Sequence, residues 1–181
     1  MVRTRMVGVL LTLLVVAAIW FTGNRAEDGP DGGSGGSPDT DPGSGTSSAA
    51  TVTAVVDGDT IRVVPDGSAE ERRVRLLGLD APEVRDTPEC GGPEATDVLV
   101  DLLPVGTTVT LVGDPTQDDV DRYDRLLRYV EAPDGTDVGE RLIASGWVAT
   151  YVFRDDFERL GRYASAEDRA EAEGRGAWGA C

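Results

Sequence analysis

Between residues 57 and 83, acids and an arginine fall where the backbone turns or a strand ends. The order is Asp57-Gly58-Asp59-Thr60, then Arg75 in a strand-like stretch running to Leu79, then Asp80-Ala81-Pro82-Glu83. Carboxylates so placed suit a hard cation that takes oxygen ligands, and a nearby arginine suits a phosphate. A third piece, Asp121-Arg122-Tyr123-Asp124-Arg125, adds a second arginine beside an aromatic ring. Taken singly each piece has a plainer reading: Asp57-Gly58 as a hairpin turn, Glu83 as a turn acid, and the arginines as surface cations. The inference rests on the set and its order.

Composition removes most other chemistries. The 181 residues contain no histidine, and all 17 basic residues are arginine. A Ser-His-Asp triad, a histidine base, a P-loop lysine and a Schiff base are therefore excluded. Two cysteines without histidine cannot supply a four-ligand zinc site. Against those arginines stand 33 acids, for a net charge of −16. So acidic a surface argues against a polyanionic partner unless salt screens it, and near molar salt the Debye length falls to about 3 Å. Abundant Asp and Glu without Lys resembles the proteins of organisms living in high salt; an ordinary solubilising surface is the rival. In either case local contacts must do the binding.

The elements that position these groups follow from pattern. Thr51–Val56 and Thr60–Val64 read as a hairpin around Asp57-Gly58, and Glu70–Leu79 as a third strand with Arg73 and Arg75 on one face and Val74 and Leu76 on the other. Ala95, Val98, Leu99, Leu102 and Leu103 mark the buried stripe of a helix. Val105–Val112 and Leu126–Val130 supply two more strands, Val138–Ser145 a short helix, Val148–Phe153 an extended segment and Asp156–Glu173 a last helix. The expected class is α+β, mainly β: a five-stranded barrel with about three packed helices.

Ahead of this domain, expected over 51–181, lie two segments. Residues 1–24 hold an apolar run from Val7 to Phe21 flanked by Arg3, Arg5 and Arg25. An uncleaved membrane anchor with the remainder outside is favoured there, and a cleaved signal peptide is the rival. Residues 25–50, rich in Gly, Ser, Pro and Asp, read as a disordered tether. Cys90 and Cys181 are candidates for a disulfide in a domain outside the membrane, with two separate thiols as the alternative.

The ordered pieces resemble the thermonuclease family, also called staphylococcal nuclease-like. Its pattern is Asp-Gly-Asp-Thr, then Arg-Leu and a short run into Asp-Thr-Pro-Glu, then Asp-x-Tyr-x-Arg. The likeness covers about residues 51–178, with Ala81 where the family usually has Thr. It implies an OB-type five-stranded barrel with three helices and calcium-dependent hydrolysis of DNA and/or RNA to 3′-phosphates. By matching position, Asp59, Asp80 and the backbone carbonyl of Ala81 would hold Ca2+, and Glu83 would orient or deprotonate the attacking water. Arg75 and Arg125 would clamp the phosphate, while Tyr123 and Tyr151 would contact the nucleotide. The implied partners are nucleic acid and, through the N-terminal segment, a membrane. The implied form is a monomer with no protein partner, tethered on the outer side of the cell membrane or secreted. The alternatives are a non-catalytic OB-fold nucleic-acid-binding module and a calcium-stabilised surface scaffold, which gives the arginines no task.

Overall fold

In the computed structural model, residues 46–85 and 87–181 are described. The expected anchor and most of the expected tether lie outside the described residues. Within the described residues, no helix is long and apolar enough to cross a membrane.

Alternation between inward apolar and outward polar residues builds the barrel. Strand β1 (Ser47–Val55) buries Ala50 and Val52, β2 (Thr60–Pro65) buries Ile61 and Val63, and β3 (Arg72–Leu76) buries Val74 and Leu76. Strands β5 (Thr108–Val112) and β6 (Leu126–Glu131) close it in the order β1-β2-β3-β6-β5. All pairs are antiparallel except β3–β6, which run parallel with Arg75 opposite Leu127. The chain is thus a five-stranded closed mixed barrel with packed helices, in agreement with the expected fold class.

Several strand boundaries differ from expectation, and β5 begins at Thr108 rather than at Val105. Strand β1 begins at Ser47 rather than at 51, because Ser47–Ala50 pair with β5 from Val112 to Val109. The expected third strand, Glu70–Leu79, is instead two: β3 ends at Leu76 and a short β4 (Leu79–Asp80) follows. Gly78 makes the break, with φ of 77°. A Cβ there would lie 2.5 Å from the Phe157 ring, so glycine is needed for both conformation and space. Strand β4 then pairs outside the barrel with β7 (Ala149–Thr150), which is all of the expected extended segment 148–153 that forms a strand.

The helices add their buried faces to the same core. Helix α1 (Gly92–Leu102) lays Ala95 and Leu99 into the core, followed by Leu103. Asp137 caps α2 (Val138–Ala144), accepting from the Glu140 backbone N–H at 3.1 Å. Helix α3 (Leu160–Ala172) starts after the expected Asp156, because Phe157 turns inward and packs 5.6 Å from the Tyr163 ring. Tyr163, Ala166 and Ala170 are its buried face. A one-turn α4 (Ala177–Ala180) was not expected. Asp137 ties α2 to α3: it accepts from Arg159 Nη1 at 2.6 Å, from Tyr163 at 3.0 Å and from Arg162.

Candidate active site

The site forms where β3 leaves the barrel. Period-two alternation turns Arg75 outward on β3, and the β2–β3 pairing sets it opposite Thr60, the first residue after Asp59. The loop carrying Asp59 is pressed inward: a Cβ on Gly58 would lie 2.7 Å from Ala81 Cβ and 2.8 Å from Ala95 Cβ. Only glycine lets the Asp57–Asp59 turn reach the α1 surface. Asp57 shapes that turn by accepting the Asp59 backbone N–H at 3.3 Å.

Arg75 is the hub. Its Nη2 lies 3.0 Å from Asp59 Oδ2 and 2.7 Å from Asp80 Oδ1, so both carboxylates converge on one nitrogen. Its Nη1 donates to the carbonyls of Leu76 at 2.9 Å and Leu79 at 2.8 Å, stapling the turn around Gly78. Asp59 is 8% exposed. Burial pushes its carboxyl up to about 6; Arg75 acts against that, and the neighbouring Asp57 adds to it. One guanidinium therefore leaves Asp59 short of positive charge.

Two hard carboxylates facing one cationic position, one of them under-compensated, suit an oxygen-seeking cation such as Ca2+. Among the described residues no group of three or more Asp, Glu, Cys or His side chains is placed to hold a metal ion. Asp59 and Asp80 would need backbone or water oxygens to complete a shell. Ala81 adjoins them through its backbone N–H, which donates to Asp59 Oδ2 at 3.2 Å.

Arg125 reaches the same place from the loop before β6. Its Nη1 donates to Thr60 Oγ1 at 3.4 Å, and that hydroxyl donates to Asp59 Oδ1 at 2.8 Å. Thr60 thus bridges Asp59 to Arg125, a role that its place in the Asp-Gly-Asp-Thr run could have signalled. Arg125 is aimed by Asp121, which accepts its Nε at 2.7 Å and its backbone N–H at 2.9 Å. Burial would raise the Asp121 carboxyl, but these bonds and one from the Tyr123 N–H outweigh it and hold it below the usual range. The turn closes through Asp124 at φ 60°, a left-handed conformation that aspartate tolerates better than most residues.

Arg75, Asp80, Arg125, Tyr123 and Tyr151 line one cleft of about 710 Å³. Tyr123 is half-exposed with the Arg125 guanidinium carbon 5.5 Å from its ring centre, and Tyr151 is similarly open. Phe153, 72% exposed, lines the same cleft and was missed from sequence; its alternation with Tyr151 was the available signal. Glu83 stands apart: it is exposed, does not line the cleft, and its carboxylate has no hydrogen bond or ion pair among the described residues. Cys90 and Cys181 are joined in a disulfide, with Cα atoms 6.0 Å apart.

Residues 73–180 match the family model described as staphylococcal nuclease homologue. Arg75, Asp80, Glu83 and Arg125 fall inside that match and Asp59 precedes it. A protein of Escherichia coli O157:H7 named uncharacterized endonuclease is 39% identical over 99 residues, covering 54% of this chain and 58% of that protein. Endonuclease YhcR of Bacillus subtilis strain 168 is 30% identical over 138 residues, 70% of this chain and 11% of its own length. The SPbeta prophage-derived endonuclease YokF of the same strain is 30% identical over 130 residues, 71% of this chain and 43% of its own length. The chain thus spans little more than half, or less, of the relatives it matches.

Proposed function

The chain belongs to the staphylococcal nuclease family, and from that premise we propose that it is a calcium-dependent nuclease hydrolysing DNA and/or RNA to 3′-phosphate products. The observation that carries this reading is the convergence of Asp59 and Asp80 on Arg75. Arg125 is linked to Asp59 through Thr60, and Arg75, Asp80 and Arg125 line a cleft together with exposed aromatic rings. The endonuclease names of the relatives point the same way.

Asp59, Asp80 and the Ala81 carbonyl would hold Ca2+, which when bound polarises a phosphoryl oxygen. Arg75 and Arg125 place two guanidinium groups where a phosphate entering the cleft needs them. Five N–H donors each, in a planar fork, suit the three equatorial oxygens of the transition state. Glu83, exposed and outside the cleft lining, with no partner on its carboxylate among the described residues, would orient or deprotonate the attacking water. The water oxygen would then bond to phosphorus as the bond to the 5′-oxygen breaks; solvent water protonates that oxygen, leaving a 3′-phosphate and a 5′-hydroxyl, and Glu83 returns its proton to solvent. Tyr123 and Tyr151 offer faces on which bases can stack.

The same reading places the protein outside the cytoplasm, secreted or held at the outer face of a membrane by residues 1–24. A disulfide fits an oxidising compartment. The acidic surface suits activity in high salt, where it no longer repels nucleic acid.

The test is hydrolysis of single-stranded DNA and of RNA by the full chain, from low to molar sodium chloride, with calcium and then with chelator. Calcium-dependent cleavage to 3′-phosphate ends, with Glu83→Gln reducing kcat by about 100-fold or more, is the expected result. Binding of nucleic acid without cleavage at any salt would make the domain a binding module instead.

A further inference from the structure

The disulfide joins residues 91 positions apart and holds down the neighbour of Glu89, the residue that hydrogen-bonds the Glu83 backbone among the described residues. The Glu83 backbone N–H donates to Glu89 Oε2 at 3.0 Å, and the Glu89 backbone N–H donates to the Glu83 carbonyl at 2.8 Å. Glu89 thus clasps the Glu83 backbone from both sides, and Cys90 follows it in the chain. Glu83's own side chain contributes nothing to its placement among the described residues. Beneath the clasp packing is tight: a Cβ on Gly91 would lie 2.9 Å from the Trp147 ring, and one on Gly92 would lie 2.7 Å from the Glu83 carbonyl.

Cys181 is brought to Cys90 by a separate set of contacts. The Ala177 N–H donates to the Gly146 carbonyl at 3.0 Å, the Cys181 N–H to the Ala177 carbonyl at 2.9 Å, and Arg175 Nη1 to the Ala144 carbonyl at 3.0 Å. The clasp is therefore moored to the end of α2. Asp59, Asp80, Arg75 and Arg125 take no part in it.

We infer that Glu89 and the Cys90–Cys181 disulfide form a positioning device for Glu83, so that turnover depends on the redox state of this bond while substrate and ion binding do not. The inference rests on the nuclease reading. Opening the device breaks the S–S bond; each sulfur gains one electron and one proton, and a dithiol reductant is oxidised to its own cyclic disulfide. Without the moor, Glu89 and the Glu83 backbone it holds gain freedom. A general base displaced by about 1 Å loses on the order of 10–100-fold in rate.

The experiment uses the full chain with calcium and labelled single-stranded DNA. It compares oxidised protein, protein reduced with dithiothreitol until two thiols titrate, and oxidised Glu89→Ala and Glu89→Gln. Reduction and Glu89→Ala should each lower kcat by about tenfold or more. KM and the calcium Kd from calorimetry should stay within about twofold, because Asp59, Asp80, Arg75 and Arg125 share no hydrogen bond with the clasp and Ala81 is held separately by its N–H bond to Asp59. Glu89→Gln, which keeps an oxygen for the Glu83 N–H, should recover most of the loss. Should reduction unfold the chain, Glu89→Ala reads the clasp with the disulfide intact. Reduced, folded protein turning over at the oxidised rate, or Glu89→Ala matching wild type or losing only KM, would overturn the inference. An oxidised wild type that cleaves nothing removes the nuclease reading and this inference with it.

Discussion

Asp59→Asn should make the ion-free protein more stable, and only above a defined pH. Burial raises the Asp59 carboxyl from 3.8 to about 6. Between those values the folded chain keeps a proton that the unfolded chain has released, so raising the pH favours unfolding. The penalty is absent below about pH 4 and complete above about pH 6–7. A shift of about two units, at 1.36 kcal/mol each, sets its ceiling near ~3 kcal/mol. Asparagine carries no such charge: its one oxygen can accept the Ala81 N–H while its amide nitrogen donates to the Thr60 hydroxyl oxygen, in place of the two bonds that Asp59 now accepts on separate oxygens. Arg75 keeps Asp80 and two carbonyls as partners. The assay is urea unfolding of wild type and variant in chelator at pH 4, 5, 6 and 7.5. The variant should gain roughly 1–3 kcal/mol at pH 7.5 and almost nothing at pH 4. Calcium should stabilise the wild type at pH 7.5 and leave the variant nearly unmoved. A difference that does not change with pH, or a variant weaker than wild type at pH 7.5, would refute the assignment of a strained carboxylate at this position.

Other outcomes follow from contacts already described. Gly58→Ala would drive a methyl against two fixed Cβ atoms at 2.7 and 2.8 Å. Thermal unfolding should show a loss of about 1–3 kcal/mol, and calorimetry a weaker calcium Kd as Asp59 is displaced. Asp137→Ala would strip a buried acid from Arg159, Arg162 and Tyr163 and remove the cap of α2. Urea unfolding should lose about 3–5 kcal/mol while turnover per folded molecule stays unchanged, since this network lies away from the Asp59–Arg75 group.

How much of this was legible depended on the range over which each feature is decided. The alternation in β2 and β3 and the stripe Ala95, Leu99, Leu103 are local periodicities, and the structure buries those residues. Ser47–Ala50 carry no β-branched residue and read as tether; they become strand only because β5 offers a row of partners. The break at Gly78 needed knowledge of Phe157, which is distant in the chain and comes to rest against it. At the site, residue types and order pointed to Asp59, Asp80, Arg75 and Arg125. That both acids would share one nitrogen of Arg75, and that Thr60 would bridge to Arg125, depended on the β2–β3 and β3–β6 registers. Asp137 and Tyr129 were missed for the same reason. Nothing local distinguishes a capping aspartate from one that also pairs with Arg159, or a strand tyrosine from one whose hydroxyl donates to buried Asp114.

The parallel seam between β3 and β6 also bears on how the chain comes into being. Arg75 lies on the first of these strands and Arg125 immediately before the second, so the stretch that must emerge between them includes α1 and β5. In chain order Asp59, Arg75 and Asp80 all precede β6, the strand that joins β3 to β5 and closes the barrel. The second arginine arrives only with the strand that seals it. On the nuclease reading, the pair of arginines offered to a phosphate is complete only once β6 is in place. The β3–β6 seam joins residues some fifty positions apart, the kind of long-range pairing that costs loop entropy before it gains contacts.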